Sequence, residues 1–151
     1  GSTLDQPSGD HVERAAQVAE AMMRVDATNW RTLEARARVL TRRGVEAVIA
    51  GRGADALADL EGATAAARTL LATDPGNIVF LKTFIKASVA YAGAALDARQ
   101  DRIAEASLSE AQAAIAALQP ATLDSDDRNK YVESVHEPLA RLALQRGAWT
   151  N

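Results

Sequence analysis

The sequence predicts an all-α fold: antiparallel helix hairpins, about six helices in all, stacked in order as a short α-solenoid. Three observations carry that prediction. Alanine supplies 34 of the 151 residues, and Ala loses no side-chain entropy when the backbone coils. Apolar residues recur at three- and four-residue spacings, and no run alternates Val, Ile and Thr as a strand would. Finally, the chain is similar to itself at a shift of 48 positions, and such a fixed period marks stacked units that cannot bury their apolar faces alone. The shift aligns Met22 with Leu70 and Leu118, Asp26 and Asn29 with Asp74 and Asn77, and Gly51 with Arg99 and Gly147.

The elements follow in chain order. Residues 1–9 read as a leader, opened by a Gly-Ser tag remnant on an excised segment. Residues 10–29 form a half repeat whose helix, 10–25, carries Val12, Ala15, Ala16, Ala19, Met22 and Met23 on one stripe, with Asp10 as the expected N-cap. The first full repeat spans 30–77. Its first helix, 30–50, has Leu33, Ala37, Leu40, Gly44 and Val48 facing inward; Gly51-Arg52-Gly53 then breaks the chain. Its second helix, 54–73, uses Leu60, Ala63, Ala67 and Leu70. Asp74-Pro75-Gly76-Asn77 ends it: Pro cannot continue the helix, Gly allows a left-handed backbone, and Asn caps the next start. The second repeat, 78–125, has helices 78–99 (Leu81, Phe84, Ile85, Ser88, Ala92, Leu96) and 102–119 (Ala104, Leu108, Ala111, Ile115, Leu118). A terminal helix, about 125–146, uses Val132, Val135, Leu139 and Leu142; Pro138 is expected to kink it and Gly147 to end it. Loops this short force antiparallel neighbours.

At "ADALADLEGATAAARTLLATDPGN" the chain resembles the tetratricopeptide repeat. Ala63, Ala67, Leu70 and Pro75-Gly76-Asn77 match that family's second helix and closing turn, while Leu33, Ala37 and Leu40, then Leu81, Phe84 and Ile85, suit its first helix. The departure is length, 48 residues in place of the usual 34. Elongated arrays of this kind look similar to helical regions of large bacterial regulatory proteins. The resemblance implies a scaffold that binds a peptide or a partner domain on the concave face lined by first helices.

Composition narrows the chemistry. A net charge of −3 argues against a dedicated nucleic-acid binder, which needs a basic excess. With no Cys there is no disulfide, thiolate metal site or Cys nucleophile, and cytoplasmic and periplasmic placement fit equally. The most apolar window, 78–96, contains Lys82 and Lys86 and reads as a buried helix rather than a membrane span. Glu133, His136 and Glu137 give one Glu-x-x-His spacing, but a di-iron site needs a second copy, so a surface or interface histidine is expected. No strained Gly-x-Ser-x-Gly elbow or phosphate-cradling Gly-x-x-x-x-Gly-Lys occurs. Asp126/Asp127 and Asp55/Asp59 fall near helix starts, where they complement the dipole. No enzyme, cofactor or metal is expected.

The charge pattern points to a partner. Arg38 and Lys86 are repeat equivalents, and Arg42 and Lys82 lie one turn from them. If first helices line a concave face, these four cations enter it beside Glu34, forming a groove for an acidic peptide or a C-terminal carboxylate. The alternative is a solvated face with Glu34–Arg38 as an i,i+4 pair. Trp30 and Trp149 are either exposed anchors or covers over the core at helix ends. Beside the interaction module stands a second functional reading, a helical sensor bundle holding a small ligand between its helices.

Overall fold

The computed structural model of the chain describes residues 8–25, 29–118 and 125–147. Every regular element among them is an α-helix: α1 Ser8–Val25, α2 Trp30–Ile49, α3 Gly53–Thr73, α4 Ile78–Asp97, α5 Asp101–Ala117, α6 Ser125–Ser134 and α7 His136–Gln145. Each helix packs on its neighbours in sequence; α2 also touches α4, and α4 touches α7. Cross-contacts give the directions. Gly44 faces Leu60 while Gly62 faces Leu40, so α2 and α3 run antiparallel. Trp30 stacks against Phe80, the two N-terminal ends together, so α2 and α4 run parallel.

The 48-residue period is written in the backbone. Both α2 and α4 are 20 residues long, starting at Trp30 and Ile78 and ending at Ile49 and Asp97, and the α6–α7 pair ends at Gln145. Asn29 caps α2 by accepting from the Arg31 and Thr32 amides at 2.9 and 3.4 Å; Asn77 caps α4 by accepting from Phe80 N–H at 3.1 Å. After each of these helices the chain passes through one left-handed residue: Gly51 (φ 79°), Arg99 (φ 60°) and Gly147 (φ 70°). The closing bonds match too, Arg52 N–H donating to Ala47 O at 2.8 Å and Gln100 N–H to Ala95 O at 2.7 Å. A left-handed residue inside such a six-residue return satisfies helix-end carbonyls that would otherwise lack a donor.

The predicted stripes are largely the observed core. Leu33, Ala37, Leu70, Leu81, Phe84, Ile85, Leu96, Leu108, Ile115, Val135 and Leu142 belong to one buried cluster running from α2 to α7. Ala15 is exposed, however, and Val48, Val132 and Leu139 are only half-buried. By length and composition alone α4, with mean hydropathy 1.4, could cross a membrane. Here its Phe80, Leu81, Phe84, Ile85 and Leu96 are buried among α2, α3, α5 and α7. Helix axes come close because the crossing residues are small: a Cβ built on Gly44 would lie 2.4 Å from Leu60 Cγ.

Four local expectations are corrected. First, α1 spans Ser8–Val25, so Asp10 lies within the first turn rather than at the N-cap, while residues 1–7 of the expected leader lie outside the described residues. Second, Gly76 is not left-handed; its turn is closed by Asn77 N–H to Asp74 O at 3.1 Å and by Asn77 Nδ2 to Asp74 Oδ2 at 3.2 Å. Third, α2, α4 and α5 stop one or two residues early, where the left-handed turns or Leu118 leave helical geometry. Finally, the sixth expected helix is two, divided at Val135. Pro138 lacks the amide that would reach the Ser134 carbonyl, and its ring collides with that carbonyl, so the break falls before the proline rather than at it. Ser134 Oγ donates instead to Tyr131 O at 2.6 Å. The side chains of Met22, Met23 and Trp149, and the turn over 119–124, lie outside the described residues.

Candidate functional site

The groove between α2 and α4 follows from helical geometry. Leu33, Ala37 and Leu40 on α2, and Leu81, Phe84 and Ile85 on α4, point into the core. Residues about a third of a turn away must therefore flank the gap between two parallel helices. They are Glu34, Arg38, Thr41 and Arg42 from α2, with Val79, Lys82, Thr83 and Lys86 from α4, around a volume of about 370 Å³. All five residues singled out from the sequence, Glu34, Arg38, Arg42, Lys82 and Lys86, thus line one concavity.

Its donors are the four cations. Arg38 reaches Glu34 at 3.7 Å and Arg42 reaches Glu46 at 3.5 Å, both i,i+4 pairs, with the arginine side chains 72% and 67% exposed. Pairs this exposed contribute about 0–1 kcal/mol, so either guanidinium can turn to a better acceptor at small cost. The i,i+4 pair of the solvated-face reading is therefore present, but it does not occupy the groove's full charge. Among the described residues no carboxylate lies within ion-pair distance of Lys82 or Lys86. The two threonines donate back to their own helices, Thr41 Oγ1 to Ala37 O at 2.7 Å and Thr83 Oγ1 to Val79 O at 2.9 Å.

The groove continues into a second concavity that sequence reasoning did not assemble. Trp30, Glu34, Thr73, Asp74, Asn77, Val79 and Phe80 enclose about 490 Å³, and Glu34 and Val79 belong to both spaces. The Trp30 and Phe80 ring centroids are 6.2 Å apart at 48°, and the Arg31 guanidinium carbon sits 4.9 Å from the Trp30 ring centre. Even so, Trp30 stays 47% exposed and Val79 53%. The one signal in the sequence was the tryptophan's place directly after a capping Asn; the partners at 73–80 come from the next turn and helix.

A larger concavity, about 650 Å³, lies where α1, α2 and α3 meet, lined by Asp10, Glu13, Arg43, Glu46, Arg52, Asp55 and Asp59. Its central charge already holds the fold together. Arg43 donates to both Asp59 oxygens (2.6 and 2.9 Å) and to both Glu13 oxygens (3.1 Å), bridging three helices. The Asp59 hydrogen bond is the main cause that raises the Arg43 pKa above its ordinary value, against the opposing effect of burial. Arg36 and Glu20 pair further along α1 and α2.

Glu133 and His136 fall in different helices, α6 and α7, on either side of Val135, and Glu133 is exposed. His136 is exposed, and Glu137 pairs with Arg141 at 3.7 Å. Among the described residues no group of three or more His, Cys, Asp or Glu could hold a metal ion. Asp55, Asp126 and Asp127 do lie in first turns, whereas Asp59 is engaged with Arg43. No protein-family model, curated protein or solved structure matches the chain.

Proposed function

We propose that the chain is a non-enzymatic, tetratricopeptide-like interaction module that holds an acidic peptide or partner segment in the α2–α4 groove, as part of a larger bacterial regulatory or signalling protein. The observation that supports this reading is the convergence of Arg38, Arg42, Lys82 and Lys86 on one solvent-open gap between parallel helices. Two of the four cations have no carboxylate partner among the described residues, and the other two are held only by exposed i,i+4 pairs. A carboxylate entering there gains charge-assisted hydrogen bonds and gives up little.

The test is direct. Fluorescein-labelled peptides rich in Glu, rich in Gln and rich in Lys are titrated with the protein and followed by anisotropy. The Glu peptide should bind tightest and weaken as salt rises through about 0.15 M, where the screening length nears 8 Å. Reversing Arg38→Glu with Lys86→Glu should lower its affinity about tenfold or more. Equal binding of Glu and Gln peptides would remove the groove from the function.

A further inference from the structure

We infer that the cationic groove is one half of a two-part site, whose other half is the Trp30–Phe80 pocket, and that the occupant is an acidic segment carrying a bulky apolar side chain on one flank. This rests on the function proposed above and specifies the partner. The two spaces adjoin at Glu34 and Val79, so one extended chain can reach from one into the other. Their chemistry differs sharply. One end offers four cations; the other offers an indole 47% exposed, Val79 53% exposed, and Phe80 just beneath.

Covering Phe80 does not require a tryptophan with half its surface left in water. An exposed indole at the mouth of a pocket is the kind of group that supplies most of the energy when a partner side chain covers it. Charge sets the polarity. At the apolar end Arg31, over the Trp30 ring, is offset by Asp74, and Glu34 stands at the junction, so an acidic residue of the ligand gains most beside Arg42 and Lys86. The spacing comes from α2 itself. Trp30 and Arg38–Arg42 are eight to twelve residues apart on one helix, about 12–18 Å at 1.5 Å per residue. An extended peptide covers that in about four to six residue steps. The ligand is therefore an apolar residue, a neutral spacer of about three to five residues, then consecutive acids.

The experiment uses the full chain carrying Trp149→Phe, which leaves Trp30 as its single indole. Three labelled peptides are compared, each made in both chain directions. The first has Leu, four Gly/Ser residues and four Glu; the second replaces Leu by Ala; the third keeps Leu but replaces Glu by Gln. The expected result is that the Leu peptide binds about tenfold tighter than the Ala peptide in one direction. Among the Glu-bearing peptides only the one with Leu should move Trp30 emission to the blue, and Trp30→Ala should cut its advantage over the Ala peptide to about twofold or less. The emission measurement needs no change at Trp30, so it holds even if Trp30→Ala perturbs α2. Equal affinity of the Leu and Ala peptides with unmoved emission would overturn the two-part site while leaving the acidic groove standing. Failure of both Glu peptides to bind better than the Gln peptide would overturn the two readings together.

Discussion

Alanine in place of Gly44 and of Gly93 should change stability in opposite directions, although the chemical change is identical. Both glycines lie inside helices, where Ala is favoured over Gly by about 1 kcal/mol. At Gly93 a new Cβ meets nothing within 4 Å, so that preference acts alone and the variant should gain about 0.5–1 kcal/mol. At Gly44 the new carbon would sit 2.4 Å from Leu60 Cγ, 2.7 Å from Cδ2 and 3.0 Å from Cδ1. Leu60 cannot swing aside, because it is fully buried among Ala47, Ala56 and Ala94. Something must shift, and overpacking of this kind costs about 1–3 kcal/mol. Set against the helix preference of about 1 kcal/mol, this leaves a net loss of up to about 2 kcal/mol. Urea unfolding followed by far-ultraviolet circular dichroism reads both variants, and for a chain of this size each kcal/mol moves Tm by about 2–4 °C. Adding Leu60→Val to Gly44→Ala should recover part of the loss by removing atoms at the contact. If Gly44→Ala stabilises as Gly93→Ala does, the close α2–α3 crossing is wrong.

Three further outcomes follow from single residues. Arg99 holds a left-handed backbone that costs an L-residue about 1–2 kcal/mol; Arg99→Gly should raise stability by about 0.5–1 kcal/mol, while Gly51→Ala, at the equivalent turn, should lower it by about 1 kcal/mol, both read by urea unfolding. Ser88 is fully buried and its Oγ has no hydrogen-bond partner, so Ser88→Ala should be neutral or raise the thermal midpoint, its desolvated hydroxyl having cost about 1–3 kcal/mol. Arg146 holds the Glu105 carboxyl below its ordinary pKa of 4.5 by hydrogen bond and then by charge. The unfolded chain therefore binds the proton more readily, so this contribution is full above about pH 4.5 and fades as pH falls through the lowered folded value. Both side chains are exposed, so the effect is small and salt-sensitive: Glu105→Gln should flatten the acid limb of the pH–stability curve slightly at low salt and leave it unchanged at high salt.

The helices were legible because their causes are local. Alanine content, three- and four-residue stripes, and an Asn before each first helix all sit within a few residues of what they determine. Gly51 announced its turn for the same reason. Arg99 did not, since nothing in its side chain favours φ > 0; the bond from Gln100 N–H to Ala95 O and the packing of α5 on α4 impose it. Pro138 was visible, but the break it causes lies where its ring meets a carbonyl four residues back. The cationic groove was legible only through the period, which carried Arg38 onto Lys86 and put both on first helices. The Trp30 pocket was not, because its walls come from residues 30–34 and 73–80, and no local pattern brings a turn and two helix starts together.

Why does the cationic groove fall between α2 and α4? Both helices turn one side to the core, through Leu33, Ala37 and Leu40 on α2 and Leu81, Phe84 and Ile85 on α4, and keep the adjoining side free of it. Arg38 and Lys86 are exposed there, and neither belongs to a buried cluster. Reversing both should therefore leave the unfolding free energy within about 1 kcal/mol. The main cost is repulsion between Glu34 and the carboxylate that Arg38→Glu introduces one turn away, about 0.2–0.5 kcal/mol for like charges at i,i+4. Gly44 and Leu60 have no such freedom, since any change there moves a helix axis. The groove thus varies independently of the scaffold, and a loss of peptide binding in a variant that unfolds like the parent would be a statement about recognition alone.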